Sequence, residues 1–131
     1  MKAFDLLTGA AIAALLLAPL PVFAADAAGE IVTAQTHAGL ASTAADLAGT
    51  QMHLHHALNC LVGAGGDGFD PKNINPCANA GAGAIPDTAD AAKKAALQSA
   101  AATVRSGLAA TDKAMAQKDA AEAATALKAI K

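Results

Sequence analysis

Three of the four histidines and one of the two cysteines of this chain lie within nine consecutive residues, Met52-His53-Leu54-His55-His56-Ala57-Leu58-Asn59-Cys60. Imidazole and thiolate groups are the side chains that bind borderline and soft metal ions. No other segment of the sequence combines so many of these donors. The segment therefore indicates a metal site, with copper or zinc as the expected ion.

Helical spacing selects the donors that share one face. At 100° per residue, His53, His56 and Cys60 fall within about 60° of one another, on the side away from the leucines. If Cys60 is reduced, these three residues suit Cu(I) or Zn(II), with Met52 nearby and Cys77 available from a later loop. His55 lies at the edge of the apolar face, with Met52 and Asn59 one turn away on either side, and forms a second grouping.

A disulfide changes that ligand set. Cys60 and Cys77 are the two cysteines of the chain, and in a small domain in an oxidising compartment such a pair is expected to be bonded. The closed loop would contribute ~3 kcal/mol. The imidazoles and Met52, with Asp67 or Asp70, would then remain for Zn(II), Cu(II) or Ni(II).

His37 is assigned a structural role. In one continuous helix His37 and His55 share an angular position, but eighteen residues at ~1.5 Å rise separate them by ~27 Å. They cannot ligate one metal ion within the same helix. The sequence therefore places the metal site at the end of the first helix, without His37.

The first 24 residues read as a secretory signal peptide. Lys2 precedes the apolar run 6–20, and Val22-Phe23-Ala24 resembles a cleavage site. No later run approaches the ~20 apolar residues that span a bilayer. We therefore expect a periplasmic or secreted protein with no membrane partner after cleavage, in which residues 25–131 form one domain.

Composition restricts the function classes. The net charge is −2 and no basic stripe exists, so nucleic-acid binding is not expected. The chain has no Trp or Tyr and is rich in alanine. Because buried alanine contributes little energy per residue, the core needs close helix packing, a disulfide, a metal ion or a second copy of the chain. A homodimer is one way to meet that need.

The sequence predicts an all-α fold, an antiparallel helical bundle that could complete a four-helix bundle as a dimer. Residues 27–62 read as one long helix, 63–86 as a loop rich in Gly, Pro and Asn, and 87–131 as a two-helix return. Asp87 or Thr88 is expected to cap the first return helix, and Asp119-Ala-Ala-Glu122 resembles a capping box that starts the second. Leucines at seven-residue spacing indicate a packing seam on the long helix: Leu40, Leu47, Leu54 and Leu61.

Haem binding and catalysis have less support. The absence of a Cys-x-x-Cys-His motif excludes covalent haem attachment, although His55 or His37 with Met115 could hold a b-type haem. The sequence has no nucleophile elbow, phosphate-binding glycine loop or His-Glu-x-x-His pair. We therefore expect a protein that is not an enzyme.

The motif His53-Leu-His-His-x-x-Asn-Cys-Leu-Val-Gly63, followed by Gly68-Phe-Asp70, Asn75-Pro-Cys77 and Gly83-Ala-Ile-Pro-Asp87, resembles a group of small secreted proteobacterial proteins. The resemblance covers about residues 53–87 and implies a motif-bearing module without a particular activity. In general character the chain is also similar to small periplasmic metal-binding helical proteins. It lacks their distributed histidine repeats, so the resemblance does not extend to high-capacity metal storage.

Two hypotheses of different classes follow. In the first, a periplasmic helical protein binds copper or zinc through its histidine segment. In the second, a disulfide-stapled helical protein has a structural or interaction role in the cell envelope and binds no metal. The second predicts that His53, His55 and His56 can all be replaced by Gln without loss of function. The first predicts the reverse, with His56 the most sensitive position because it lies between His53 and Cys60.

Overall fold

The computed structural model describes residues 25–130, and every regular element in that range is an α-helix. The all-α prediction is therefore confirmed for this part of the chain, whereas the signal peptide predicted at residues 1–24 lies outside the described residues. None of the described helices is both long and apolar enough to cross a membrane. The helices are α1 (Ala27–Ser42), α2 (Leu47–Val62), α3 (Ala84–Asp87), α4 (Ala91–Ala109) and α5 (Lys113–Ala129).

The prediction of one helix over 27–62 was wrong, because the chain turns between Ser42 and Leu47. The Ser42 hydroxyl donates to the Gly39 carbonyl at 2.7 Å, which satisfies a free acceptor at the end of α1. Asp46 then begins α2 by accepting a hydrogen bond from the Gly49 amide at 2.7 Å. The turn converts the expected long helix into a hairpin of two 16-residue helices.

Each of the four long helices packs on at least two of the others, and α2 and α5 also contact each other. Helix α1 contacts α2 and α5, and α4 contacts the same two helices. Leucines, a valine and many alanines fill the space between them. The largest fully buried apolar side chains are Leu54, Leu61, Leu97, Leu127 and Val104. Leu40, in contrast, is 44 % exposed, because the turn interrupts the seven-residue register that the sequence suggested.

The return helices start at other residues than expected. Asp90, not Asp87 or Thr88, caps α4 by accepting from the Lys93 amide at 2.7 Å. Asp112 caps α5 in the same way through the Met115 amide. Asp119, predicted as a helix start, lies inside α5 and accepts from the Ser106 hydroxyl at 2.7 Å, so it joins α5 to α4.

The loop between α2 and α3 is fixed by a disulfide and by one buried amide. Cys60 and Cys77 are bonded, as the sequence predicted, and each is at most 3 % exposed. The Asn59 side chain, which is fully buried, donates to the Asp70 carbonyl at 3.0 Å and accepts from the Asp70 amide at 2.9 Å. Both backbone polar groups of Asp70 are thus satisfied by a side chain of α2.

The same loop also holds the beginning of α1. The Asp26 amide donates to the Ala80 carbonyl at 2.9 Å, and the Gly83 amide donates to Oε1 of Glu30 at 3.0 Å. Glu30 is fully buried. Burial, together with the nearby Asp87 carboxylate, raises the pKa of Glu30 to about 7. A carboxyl group in α1 therefore anchors the loop that the disulfide ties to α2.

Candidate metal centre

A cluster of three histidines, His37, His53 and His56, lies between α1 and α2. One ring nitrogen from each residue can be chosen so that all three atoms lie within 4.8 Å of one another. The imidazole rings of His37 and His53 have centroids 5.5 Å apart, and the His56 ring stands edge-on to both. We refer to these residues as the histidine cluster.

The hairpin explains how residues far apart in sequence meet. His53 and His56 are one turn apart on α2 and therefore share a face, as the sequence predicted. His37 comes from α1, which the turn after Ser42 folds back onto α2. The neighbours of His37 on the packed side of α1 are small, since Ala34, Ala38 and Ala41 are fully buried. Their size permits the close approach of the helices.

The shortest distance in the cluster matches metal coordination. Nδ1 of His37 lies 3.3 Å from Nδ1 of His53. Bonds of about 2.0–2.1 Å from a tetrahedral zinc ion place two ligand nitrogens about 3.3–3.4 Å apart. The separation therefore suits either an N–H···N hydrogen bond between these two imidazoles or two nitrogens bound to one ion.

Burial favours the neutral forms of His37 and His56. His56 is 8 % exposed, and His37 and His53 are half-buried. Burial lowers the pKa of His37, and the neighbouring His56 and His53 lower it further. Burial likewise lowers the pKa of His56, with smaller contributions from His53 and His55. Neutral imidazoles carry the lone pairs that a metal ion requires.

His56 also carries an unsatisfied group. Its Nδ1 atom is buried and has no hydrogen-bond partner among residues 25–130. Buried polar atoms without partners are uncommon, because each costs free energy unless a ligand or water satisfies it. A bound cation at the cluster would give the His56 ring a partner through one of its nitrogens.

Cys60 is not available as a thiolate ligand. It lies one turn after His56 on α2, as the sequence predicted, but its sulfur is bonded to Cys77. Within the described residues no cysteine is free. The version of the site with a reduced Cys60 is therefore corrected to one in which imidazoles supply the donors.

His55, the fourth histidine, points to a different partner. Its Nδ1 lies 3.6 Å from Oδ2 of Asp70 in the loop after α2. The pKa of Asp70 is lowered mainly by the Lys72 amide, then by the Asn73 side chain, and less by His55. Neither His55 nor Asp70 belongs to the histidine cluster. At 3.6 Å the contact is too long for a hydrogen bond, and Nδ1 of His55, like that of His56, is buried without a hydrogen-bond partner among residues 25–130.

The remaining predicted ligands lie outside the cluster or stay predictions. Asp67 is fully exposed and pairs with Arg105 at 3.7 Å. Met52 is 42 % exposed, one turn before His56, and its thioether as an additional ligand stays a prediction. Met115, suggested for haem, is 60 % exposed on α5. The described part of the chain has one cavity beside the loop after α2 and another beside the start of α1, and neither is lined by a histidine.

Sequence reasoning missed His37 because it missed the turn. Two signals could have revealed it. Ser42 and Thr43 are residues whose hydroxyls favour helix ends, and Asp46 stands three residues before Gly49 at the spacing of an N-terminal cap. Once the helix is divided there, His37 becomes a residue of the facing helix.

The chain matches no protein-family model, no curated protein and no solved structure. The resemblance to small secreted proteobacterial proteins therefore stays a prediction. Any function must be derived from the geometry of the chain itself.

Proposed function

We propose that the protein binds one zinc or copper ion through His37, His53 and His56. The observation that carries the proposal is the approach of three imidazole nitrogens to within 4.8 Å of one another, supplied by two helices of one hairpin. Three imidazoles suit Zn(II) and Cu(II), which accept nitrogen ligands in four-coordinate sites. One coordination position would remain for water, Met52 or an external ligand.

The helix arrangement supports a preformed site. Short turns join α1 to α2 and α4 to α5, and helices joined by short turns are usually antiparallel neighbours. We infer an antiparallel four-helix bundle in which α1 and α2 hold the ligands. Association into a homodimer stays a separate prediction, which light scattering coupled to size exclusion chromatography would test.

The compartment is part of the proposal. A disulfide between Cys60 and Cys77 persists in an oxidising environment, which favours the periplasm or the exterior of the cell. No enzymatic activity is proposed. The protein would instead sequester, carry or be stabilised by the ion.

The test is native mass spectrometry of the protein purified without affinity tag or chelator, with metal analysis of the same sample. We expect one equivalent of zinc or copper. The variants H37Q, H53Q and H56Q should each lose the ion, because each removes one of three donors. Circular dichroism would verify that the variants keep their helices.

His55 provides the matched control, since it lies on the same helix but outside the cluster. H55Q should retain the ion. Equal metal binding by H37Q, H53Q, H56Q and the unmodified protein would disprove the assignment. A folded protein that takes up neither zinc nor copper at micromolar concentration would favour the alternative, a disulfide-stapled structural or interaction protein of the envelope.

A further inference from the structure

A second feature lies away from the histidine cluster, where the loop after α2 faces α3 and α4. Here the structure has a cavity of about 810 Å³, within the range of small-molecule sites. Its lining is mainly apolar and includes Val62, Phe69, Ile85 and Pro86. Neither the proposed metal ligands nor the anchoring Asn59 line it.

One cationic side chain defines the polar end of this cavity. Arg105 on α4 lines it, and its Nη2 atom donates to the Asp67 carbonyl at 2.8 Å. Its Nε atom is buried and has no hydrogen-bond partner in the described part of the chain. The Asp67 carboxylate forms an ion pair with Arg105, with its Oδ2 atom 3.7 Å from Nη2. Because the Asp67 side chain is fully exposed, this ion pair is weak and can be displaced.

The length of the cavity follows from α4. Gln98 and Arg105 both line it and are seven residues apart on that helix, which corresponds to about 10.5 Å. The apolar lining residues Val62, Phe69 and Ile85 form the opposite wall, on α2, the loop and α3. A ligand that fits has an apolar body of roughly this length and an anionic group at one end.

We propose that the cavity binds a medium-chain carboxylate, such as an eight- to ten-carbon fatty acid, with its carboxylate at Arg105 and its alkyl chain directed toward Gln98. Charge complementarity supports this class of ligand. The planar guanidinium matches the two oxygens of a carboxylate, and the apolar lining removes the chain from water. This site is independent of the proposed metal centre.

Isothermal titration calorimetry with decanoate, below its micelle concentration, tests the proposal. We expect saturable binding to the unmodified protein. In R105Q the affinity should fall at least about tenfold, because a charge-assisted hydrogen bond is lost. Decanol, which has the same chain without the charge, should bind correspondingly more weakly.

A second variant is needed because R105Q also removes the hydrogen bond from Arg105 to the loop. Gly65 lines the cavity, and a Cβ atom placed there would meet nothing within 4 Å. The substitution Gly65→Phe adds an aromatic side chain at the cavity wall without a clash at its Cβ, so it should weaken decanoate binding. K118Q, on α5, from which no residue lines the cavity, should bind decanoate normally.

Three results would overturn the proposal. They are no decanoate binding up to millimolar concentration, undiminished binding by R105Q, and equal affinity for decanol and decanoate. None of these results bears on metal binding, so the two proposals can fail separately.

Discussion

Nδ1 of His37 lies 3.3 Å from Nδ1 of His53, although sixteen positions separate the two residues in sequence. Two identical ring atoms at this distance can share one proton, or both can direct lone pairs to one cation. They cannot both carry a proton on these atoms without repulsion. Protons and metal ions therefore compete for the same position.

This competition predicts a pH dependence of the metal-bound state. At pH 7.5, saturating zinc should raise the melting temperature, and at a concentration of 100 Kd the stabilisation amounts to about 2.7 kcal/mol. Burial lowers the pKa values of His37 and His56 below their ordinary value of 6.5, so the neutral form of each predominates in the folded protein at pH 6.5. Zinc stabilisation should persist to that pH and decline as the pH falls further.

Differential scanning fluorimetry at several pH values, with and without zinc, measures this dependence. The H53Q variant serves as control and should show no zinc effect at any pH. A zinc effect of constant size from pH 7.5 to 4.5 would contradict histidine ligation.

In the metal-free protein, the buried Glu30 should make the stability fall as the pH rises, which is opposite to the pH dependence of the zinc effect. Its pKa in the folded protein is about 7, against 4.5 ordinarily. Between these values the folded state binds more protons than the unfolded state, so the Glu30 contribution to stability falls as the pH rises from 4.5 to 7. The lowered pKa values of His37 and His56 act in the other direction below pH 6.5.

The variant E30Q isolates the Glu30 contribution. Glutamine resembles the protonated acid, can accept from the Gly83 amide, and carries no charge beside Asp87. We expect E30Q to be about 1–3 kcal/mol more stable than the unmodified protein at pH 8 and nearly equal to it at pH 4.5. Urea unfolding at both pH values gives the comparison. A variant less stable than the parent at pH 8 would show that the raised pKa is misassigned.

Removing the disulfide separates its structural role from metal binding. The double variant C60A/C77A should lose about 3 kcal/mol, because the unfolded chain is no longer constrained. It should still bind zinc below its melting temperature, since imidazoles supply the donors. Thermal unfolding and zinc titration of the same sample test both statements. Loss of zinc from a folded C60A/C77A protein would mean that a cysteine thiolate takes part.

Substitution by alanine should have opposite effects on stability at two glycines of the hairpin. Gly63 has φ +67°, and a Cβ there would collide with the Ala82 carbonyl oxygen. G63A should therefore cost more than about 1–3 kcal/mol, the usual cost of such backbone strain alone. Gly39 lies within α1 with nothing within 4 Å of a new Cβ, so G39A should add about 0.5–1 kcal/mol. Urea unfolding of both variants checks the signs, and a stable G63A would contradict the close contact.

The sequence was sufficient where local patterns decide the structure. It predicted the helical class and the loop after Val62, because helix propensity and a glycine at a helix end are local signals. It predicted the disulfide because two cysteines allow only one pairing within the chain. It also placed His53 and His56 on one face. The part of the site it missed depends on the turn at Ser42–Asp46, where capping by polar side chains outweighs an otherwise continuous apolar pattern.

His37 shows why the site could not be predicted further. Its position in a single helix excludes contact with the other histidines, whereas its position in a hairpin makes contact necessary. One error in an element boundary thus changed the ligand set, although every residue type had been recognised. The sequence analysis also placed the start of α5 at Asp119, whereas its N-cap is Asp112. That error did not change the ligand set.

The loop that carries Cys77 is bonded to the start of α1 and to the end of α2. These are the two ends of the hairpin that lie away from the turn at Ser42–Asp46. The loop is linked covalently to Cys60 near the end of α2, and through Ala80 and Gly83 it holds Asp26 and Glu30 at the start of α1. The first turn of α1 and the last turn of α2 should consequently open as one cooperative unit in hydrogen exchange, with similar protection factors. A helix end that would ordinarily fray would instead be among the slowly exchanging parts of the molecule.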